Sequence, residues 1–549
     1  MRIQHYLLAA TAVAAAPNAA VAAAPALSPF TACDGYVQPS RSADGLNSDT
    51  VMFGLVTQAA DQRRSTVPLG ASGVAACDRA LADASLKPEF AMRRAHLLQA
   101  RGMHLIASGK LDDALASLQQ SDAAGASQPL FADSVGQGNR ALRATALLGL
   151  GRKQEAEALL GQLEALRPYA TSQRQLALQV RLQFEDDRAT QMKLLRDSSR
   201  LDPRALHRMF WMSMLYDDFP SAIAYGLNLS FDDPRDHGGW TTEGAKFEPF
   251  MDLLERTRFA GAYAYAESAM GDDASSAETL KRMEQEIAPL LLPMPKPGRN
   301  QRWTKYQIAD HALKETVGKA AMAVLKNWAG NIALRKAAKG QTTEQLLAEL
   351  KTSGSKPIML SDLLMQLSAP LPADTAQLEK LKAEVAATKD ELRKKQLHAT
   401  FPEMVRLLPR PETPQTRIKY QTEGENIIRS DLNGYAVKRN AKPGSFTVRY
   451  GSATGSVAAV DEAALYAAAN FVVKEGKDAF LVDAREPIQR TIQMTGMYSG
   501  GRRIPSGYEV RLSIRPVSSA SVSAADRQRL VMAYDVIAAL RPKFVTPMG

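Results

Sequence analysis

Cysteine, histidine and aromatic residues are all scarce in these 549 residues, and each shortage narrows what the protein can be. Two cysteines allow one disulfide at most, so no dense disulfide framework holds this chain. Seven histidines are few, and none stands in the H-E-x-x-H spacing that places two imidazoles on one helix face. Aromatics make up only 6%, beside abundant alanine, which suits close helix packing better than a β-rich body. No G-x-S-x-G nucleophile turn occurs. Beyond the first residues, no apolar run reaches the roughly 20 residues that cross a bilayer. What remains is a composition of 45% hydrophobic and 23% charged residues, which is that of a globular protein. The length exceeds what one core usually serves, so at least two folded units are expected.

The N-terminus has the pattern of an export signal. Arg2 supplies the positive end, Leu7 to Ala16 the apolar stretch, and Ala20-Val21-Ala22 a small-residue cleavage site. Pro17 and Asn18 interrupt that stretch, which argues against a membrane anchor. Residues 1–22 are therefore read as a signal peptide, with cleavage after Ala22 and a periplasmic or secreted mature protein. In an oxidising compartment a Cys33–Cys77 disulfide is the first expectation. The alternative is lipidation of Cys33, for which Phe30-Thr31-Ala32-Cys33 is only a loose lipobox.

Residues 23–68, rich in Ser, Pro, Asp and Gly, read as a loop with a short helix near Val51 to Val56. A repeating helix-pair pattern follows over residues 69–292. Gly102, Leu105, Gly109, Ala114 and Leu118 return, shifted by 42, as Ala144, Leu147, Gly151, Ala156 and Leu160, and Pro168 closes the second copy. A further copy falls at Phe219, Ala222 and Pro234, while Leu201-Asp202-Pro203 forms another repeat ending. This spacing resembles the tetratricopeptide repeat, in which small residues let two antiparallel helices pack closely and a proline ends the second. The usual period is about 34 residues, so an insertion of about eight is expected near Gly125 to Gln137. The resemblance implies a curved stack of helix pairs that binds a protein or peptide.

Residues 293–401 read as further helices, with Leu378, Leu381, Val385 and Leu392 on a short heptad seam that packs on its own neighbours. Four prolines between Pro402 and Pro414 mark residues 402–432 as a linker. Residues 433–549 then switch to alternation. Strands are expected at Tyr435 and Val437, at Phe446 to Tyr450, at Ala479 to Asp483, and in a hairpin from Ile488 to Arg515 with Val510, Leu512 and Ile514 inward. Helices are expected at Asp461 to Glu475 and from Ser523 to Leu540. The fold class is thus mainly α, a tetratricopeptide-like solenoid followed by a small α+β domain. Tyr466-Ala467-Ala468 with Gly476 to Asp483 resembles a domain of secreted or lipid-anchored bacterial proteins, over roughly Asn433 to Pro516, from which no activity carries over.

The net charge is +10, and from Arg410 to Gly549 there are 20 Lys and Arg against 13 Asp and Glu, a surplus of seven. Arg502 and Arg503, beside Gly500, Gly501 and Pro505, are expected at the hairpin tip, where two guanidinium groups could grip a carboxylate or phosphate. The expected partner is a protein or peptide on the repeat surface, with an acidic protein, anionic lipid or cell-wall polymer at the C-terminal domain. Export speaks against nucleic acid. No residues are assigned to catalysis, a metal or a cofactor, and the chain is not read as an enzyme. The rival readings are an envelope-polymer hydrolase using acids such as Asp232, Asp233 and Glu248, and a purely structural envelope protein.

Overall fold

The computed structural model describes residues 27–51, 56–59, 69–229, 248–295, 302–338, 372–414, 434–440, 442–496 and 499–544, with isolated positions at 342, 345, 348, 362, 364, 417, 418 and 420. The signal segment, Pro234 and the acidic stretch at Asp232 and Asp233 lie outside them. Helices dominate, and a five-stranded antiparallel sheet stands at the C-terminal end.

The N-terminal segment departs from the expected loop. It holds helix α1 (Pro29–Asp34) and an antiparallel hairpin of β1 (Asn47–Val51) and β2 (Val56–Ala59). The β-branched Thr50, Val51, Val56 and Thr57 favour strand over the short helix expected there. Helix α2 (Ala71–Ala82) then packs against α1 and the first paired helix.

Five helix pairs follow: α3 (Ala91–Ala107) with α4 (Leu111–Gly125), α5 (Val135–Gly149) with α6 (Lys153–Leu166), α7 (Thr171–Leu182) with α8 (Arg188–Ser198), α9 (Arg204–Leu215) with α10 (Phe219–Gly226), and α11 (Glu248–Ala269) with α12 (Asp273–Ile287). Each pair touches the next, and α5 also packs on both α3 and α7, so these three first helices form a layer of their own. Four pairs reverse through one kind of turn. The amides of Lys110, Arg152, Asp218 and Asp272 donate to the carbonyls of Leu105, Leu147, Ser213 and Glu267 at 2.8–2.9 Å. The residue before each donor is left-handed: Gly109 (φ 73°), Gly151 (75°), Asp217 (57°) and Gly271 (88°). This is the helix stop that glycine serves best, because it has no Cβ to clash. Nine residues after each accepting carbonyl, a small buried residue seats the second helix: Ala114, Ala156, Ala222 and Ser276.

The long helix α13 (Lys305–Ala338) lies against α11 and α12. Helix α14 (Pro372–Leu397) carries the heptad seam, of which Leu378 and Val385 are buried, and packs on α9. The proline-rich stretch is less open than the sequence suggested. Pro402 sits in the first turn of α15 (Phe401–Leu407), where a proline's missing N–H is not needed, and Thr400 with Glu403 forms a capping box. Leu408, Glu412 and Thr413 beyond it are buried.

The sheet runs β3 (Gly434–Arg439), β4 (Phe446–Ser452), β6 (Ser499–Val517), β5 (Ala479–Gly496) and β7 (Val531–Met532) in spatial order. The separately expected segments at Ala479 and Ile488 are one strand, β5, because a register shift between Val482 and Ala484 absorbs Asp483 without ending the ladder. Helices α16 (Val457–Lys474) and α18 (Ala533–Phe544) cover one face. The last helix is interrupted: Ser523 caps a single turn, α17 (Ala524–Arg527), and β7 intervenes before α18. Val510, Leu512 and Ile514 point into the core as expected.

Candidate functional site

The repeat signature residues are brought together as packing surfaces. A Cβ on Gly102 would stand 2.8 Å from Leu118 and 3.5 Å from the Ala114 carbonyl, so hydrogen alone lets α3 and α4 meet at this point. Leu105, Leu118, Ala144, Leu147, Ala156, Leu160 and Ala222 are buried. Pro168 and Pro203 stand in the connections that follow α6 and α8. The expected insertion is the connection from α4 to α5, and Phe131 within it packs where Cβ atoms on Gly125 and Gly136 would lie.

The Cys33 and Cys77 sulfurs are bonded, with Cα atoms 4.7 Å apart, tying α1 to α2. Beside this bond Asp34, wholly buried, accepts from Arg93 at 3.0 Å and pairs with His96 at 2.9 Å. Burial alone would push the Asp34 carboxyl up, but Arg93 and His96 hold it below the usual carboxylate range. The Arg93 guanidinium also lies 5.4 Å from the ring centres of both Phe30 and Tyr36. The segment from α1 to Gly45 is therefore fastened to α2 by one covalent bond and to α3 by one buried charge cluster.

The layer of α3, α5 and α7 does not present an open face along its length. Met404, Val405 and Leu408 of the α15 segment enter the core shared with Leu176, Ala177 and Val180 of α7. Gln179 and Gln183 of α7 and the turn after it bond the backbone of Ala399 at 3.2 and 3.0 Å. Helix α16 lies on the same α7, between it and the sheet, which is why it is buried nearly all round.

The junction is held by buried charge. Arg167, just before α7, donates two bonds to Glu462 of α16 at 2.8 and 3.1 Å, and one to the Asp133 carbonyl at 3.0 Å. Lys543 reaches the same carboxylate at 2.9 Å. Asp461 pairs with Arg485 of β5 and accepts from the amide of Ser172 at the start of α7. Glu412 bonds the Ser456 hydroxyl that caps α16 and lies 3.9 Å from Arg167. Burial raises the Glu462 carboxyl, but Arg167 and Lys543 outweigh it and hold the group below its ordinary value. Leu201, which follows α8, is seated in the sheet domain's own core. Each of these charges therefore serves cohesion between the helix pairs and the sheet domain.

On the face of the sheet opposite α16 and α18, Arg449, Arg490 and Arg511 converge on the carboxylate of Glu509 at 3.1, 2.7 and 2.6 Å. This explains why Glu509, expected to face outward, is 4% exposed. Arg515 binds Asp483 at 2.6 Å nearby. Arg502 and Arg503 are in β6 itself, opposite Met494 and Gln493, not in a turn. Sequence reasoning missed the arginine cluster because its members come from three strands and only register joins them.

Among the described residues, no group of three or more His, Cys, Asp or Glu side chains is placed to hold a metal ion, and no helix is long and apolar enough to cross a membrane. No family model, curated protein or solved structure matches the chain.

Proposed function

We propose that this chain is an exported protein-interaction scaffold, built from tetratricopeptide-like helix pairs and completed by a basic sheet domain that provides a second contact. The observation that carries this reading is the recurrence of one turn geometry and one small-residue seat in four successive or near-successive pairs. Such stacking produces long surfaces whose shape is set by the repeat and whose side chains are free to vary. Because α15 and α16 cover α7 and α14 covers α9, a partner would use the exposed sides of the even-numbered helices or the far end of the stack. There Leu227, Met270, Leu292 and Tyr306 are exposed apolar side chains.

In-cell crosslinking of the full chain, followed by mass spectrometry, tests this. The expected result is one stoichiometric protein neighbour with links on α10 to α13. Links to no protein at all would overturn the scaffold reading. A second reading, contact with an anionic lipid or cell-wall polymer, is favoured by the three guanidinium groups gathered on one carboxylate on the face of the sheet opposite α16. Salt-sensitive cosedimentation with anionic vesicles or isolated cell wall, lost in R449Q/R511Q, would support that second contact.

A further inference from the structure

His104 of α3 touches both helices that the disulfide joins. Its Nε2 donates to the Cys33 carbonyl of α1 at 2.8 Å, so that nitrogen carries the hydrogen of the neutral ring. Its other edge lies on α2: a Cβ on Gly73 would stand 2.2 Å from both Cε1 and Nδ1 of the ring. Nδ1 is buried with no hydrogen-bond partner among the described residues, and His104 as a whole is 0% exposed. A neutral ring can occupy such a place, because an unpaired acceptor costs far less there than an unpaired charge. A protonated ring would make Nδ1 a charged donor facing a glycine α-carbon.

The charges nearby give that donor no acceptor. Asp34 is taken by Arg93, His96 and the Tyr36 amide, and Asp78 of α2 pairs with Arg101 of α3 near the surface at 2.7 Å. Burial accordingly holds His104 below its ordinary 6.5, although the bond to Cys33 and the charge of Asp34 pull the other way. Helix α2 is also lightly seated. Its buried residues are Gly73, Ala76, Cys77 and Ala80, which bring little apolar area to the contact, and no side chain caps its first turn.

We propose that α2 is a tethered lid on the first end of the helix stack, seated on the neutral ring of His104 and lifted from α3 when that ring takes a proton from solvent. The closed seat keeps the ring neutral, while in a lifted one the ring meets water and returns to its ordinary value. Closure is therefore fully favoured above about 6.5 and is lost progressively as pH falls below it. The Cys33–Cys77 bond keeps a lifted α2 attached to α1, so the lid closes again when the proton leaves. The Glu462 contact at the junction weakens only below its own ordinary value of 4.5, so the two openings are separated in pH.

Hydrogen exchange on the full chain, with its disulfide intact, tests this. After correction for the intrinsic pH dependence of exchange, amides of α2 are expected to lose about tenfold or more of their protection between pH 7.5 and pH 5, with α5 and α6 unchanged. H104Q, which cannot gain the proton, is expected to lose that response whatever its protection at neutral pH. H207Q/H398Q removes two further histidines that burial holds low and is expected to keep the response. NMR of the histidine rings in the unmutated protein gives a second measurement, in which His104 is expected to take its proton only as α2 resonances move. No change in α2 exchange, an equal response in H104Q, or a His104 ring that titrates while α2 stays still would overturn the lid.

Discussion

The contacts between neighbouring helix pairs and the contact between the pairs and the sheet domain are both buried, yet they are made of different materials. Within a pair, Gly102 and Ala114 give way to Leu118, and cohesion comes from shape and apolar area. At the junction, buried Arg167 meets Glu462, which the partly exposed Lys543 also reaches, and the buried pair of Asp461 and Arg485 lies beside them. The first kind of interface tolerates small errors by degrees. The second fails more abruptly when a buried partner is lost, because the remaining buried charge keeps too little compensation.

That contrast can be broken most sharply at Arg167. R167M should destabilise docking of the sheet domain by up to about 5 kcal/mol, whereas R167M/E462L should recover most of the loss, as read by denaturant unfolding and exchange in α16. Acid should reach the same contact without mutation. The folded Glu462 carboxyl lies below its ordinary 4.5, so its contribution is present above that value and is lost as pH falls through the lowered one. Undocking seen only on raising the pH from neutral would contradict this. Next in size is the covalent fastening: C33A/C77A should cost roughly 4 kcal/mol, from the loop of 44 residues that the bond closes, and a reducing agent should match it in unfolding experiments. Smallest is the packing change within a pair. G102V forces a side chain against Leu118 and should cost about 2 kcal/mol, with α3 and α4 loosened and the junction intact.

The helix pairs were legible in the sequence because their determinants are local: a glycine or small residue at fixed spacing reports the turn and the seat directly. Ala222 was found in this way, but Asp217 was not, since an aspartate does not announce a left-handed turn as glycine does. The Cys33 and Cys77 pairing was anticipated from compartment and count alone. The hairpin of β1 and β2 was read as a loop with a short helix because the six residues Val51 to Val56 fit either period. The junction was invisible for a different reason. Arg167 and Glu462 are 295 residues apart, and no spacing rule connects them. The proline-rich stretch misled in a related way: its prolines excluded a long helix, but they did not distinguish a solvent-exposed tether from a segment pressed between two bodies.

That segment gives the molecule a temporal order. The α15 segment and α16 complete the cover over α7, yet they are made after the helix pairs they cover. At roughly 5–20 residues per second, the interval between synthesis of Leu408 and of Phe544 is on the order of ten seconds or more. Throughout it, the part of α7 that α16 covers has no lasting occupant, and Leu201 waits for a core that is not yet complete. The finished protein hides this surface; the nascent one displays it. A helper that holds unfinished chains would therefore find its handle at α7 and Leu201, and would be displaced by the protein's own C-terminal domain as the last helix arrives.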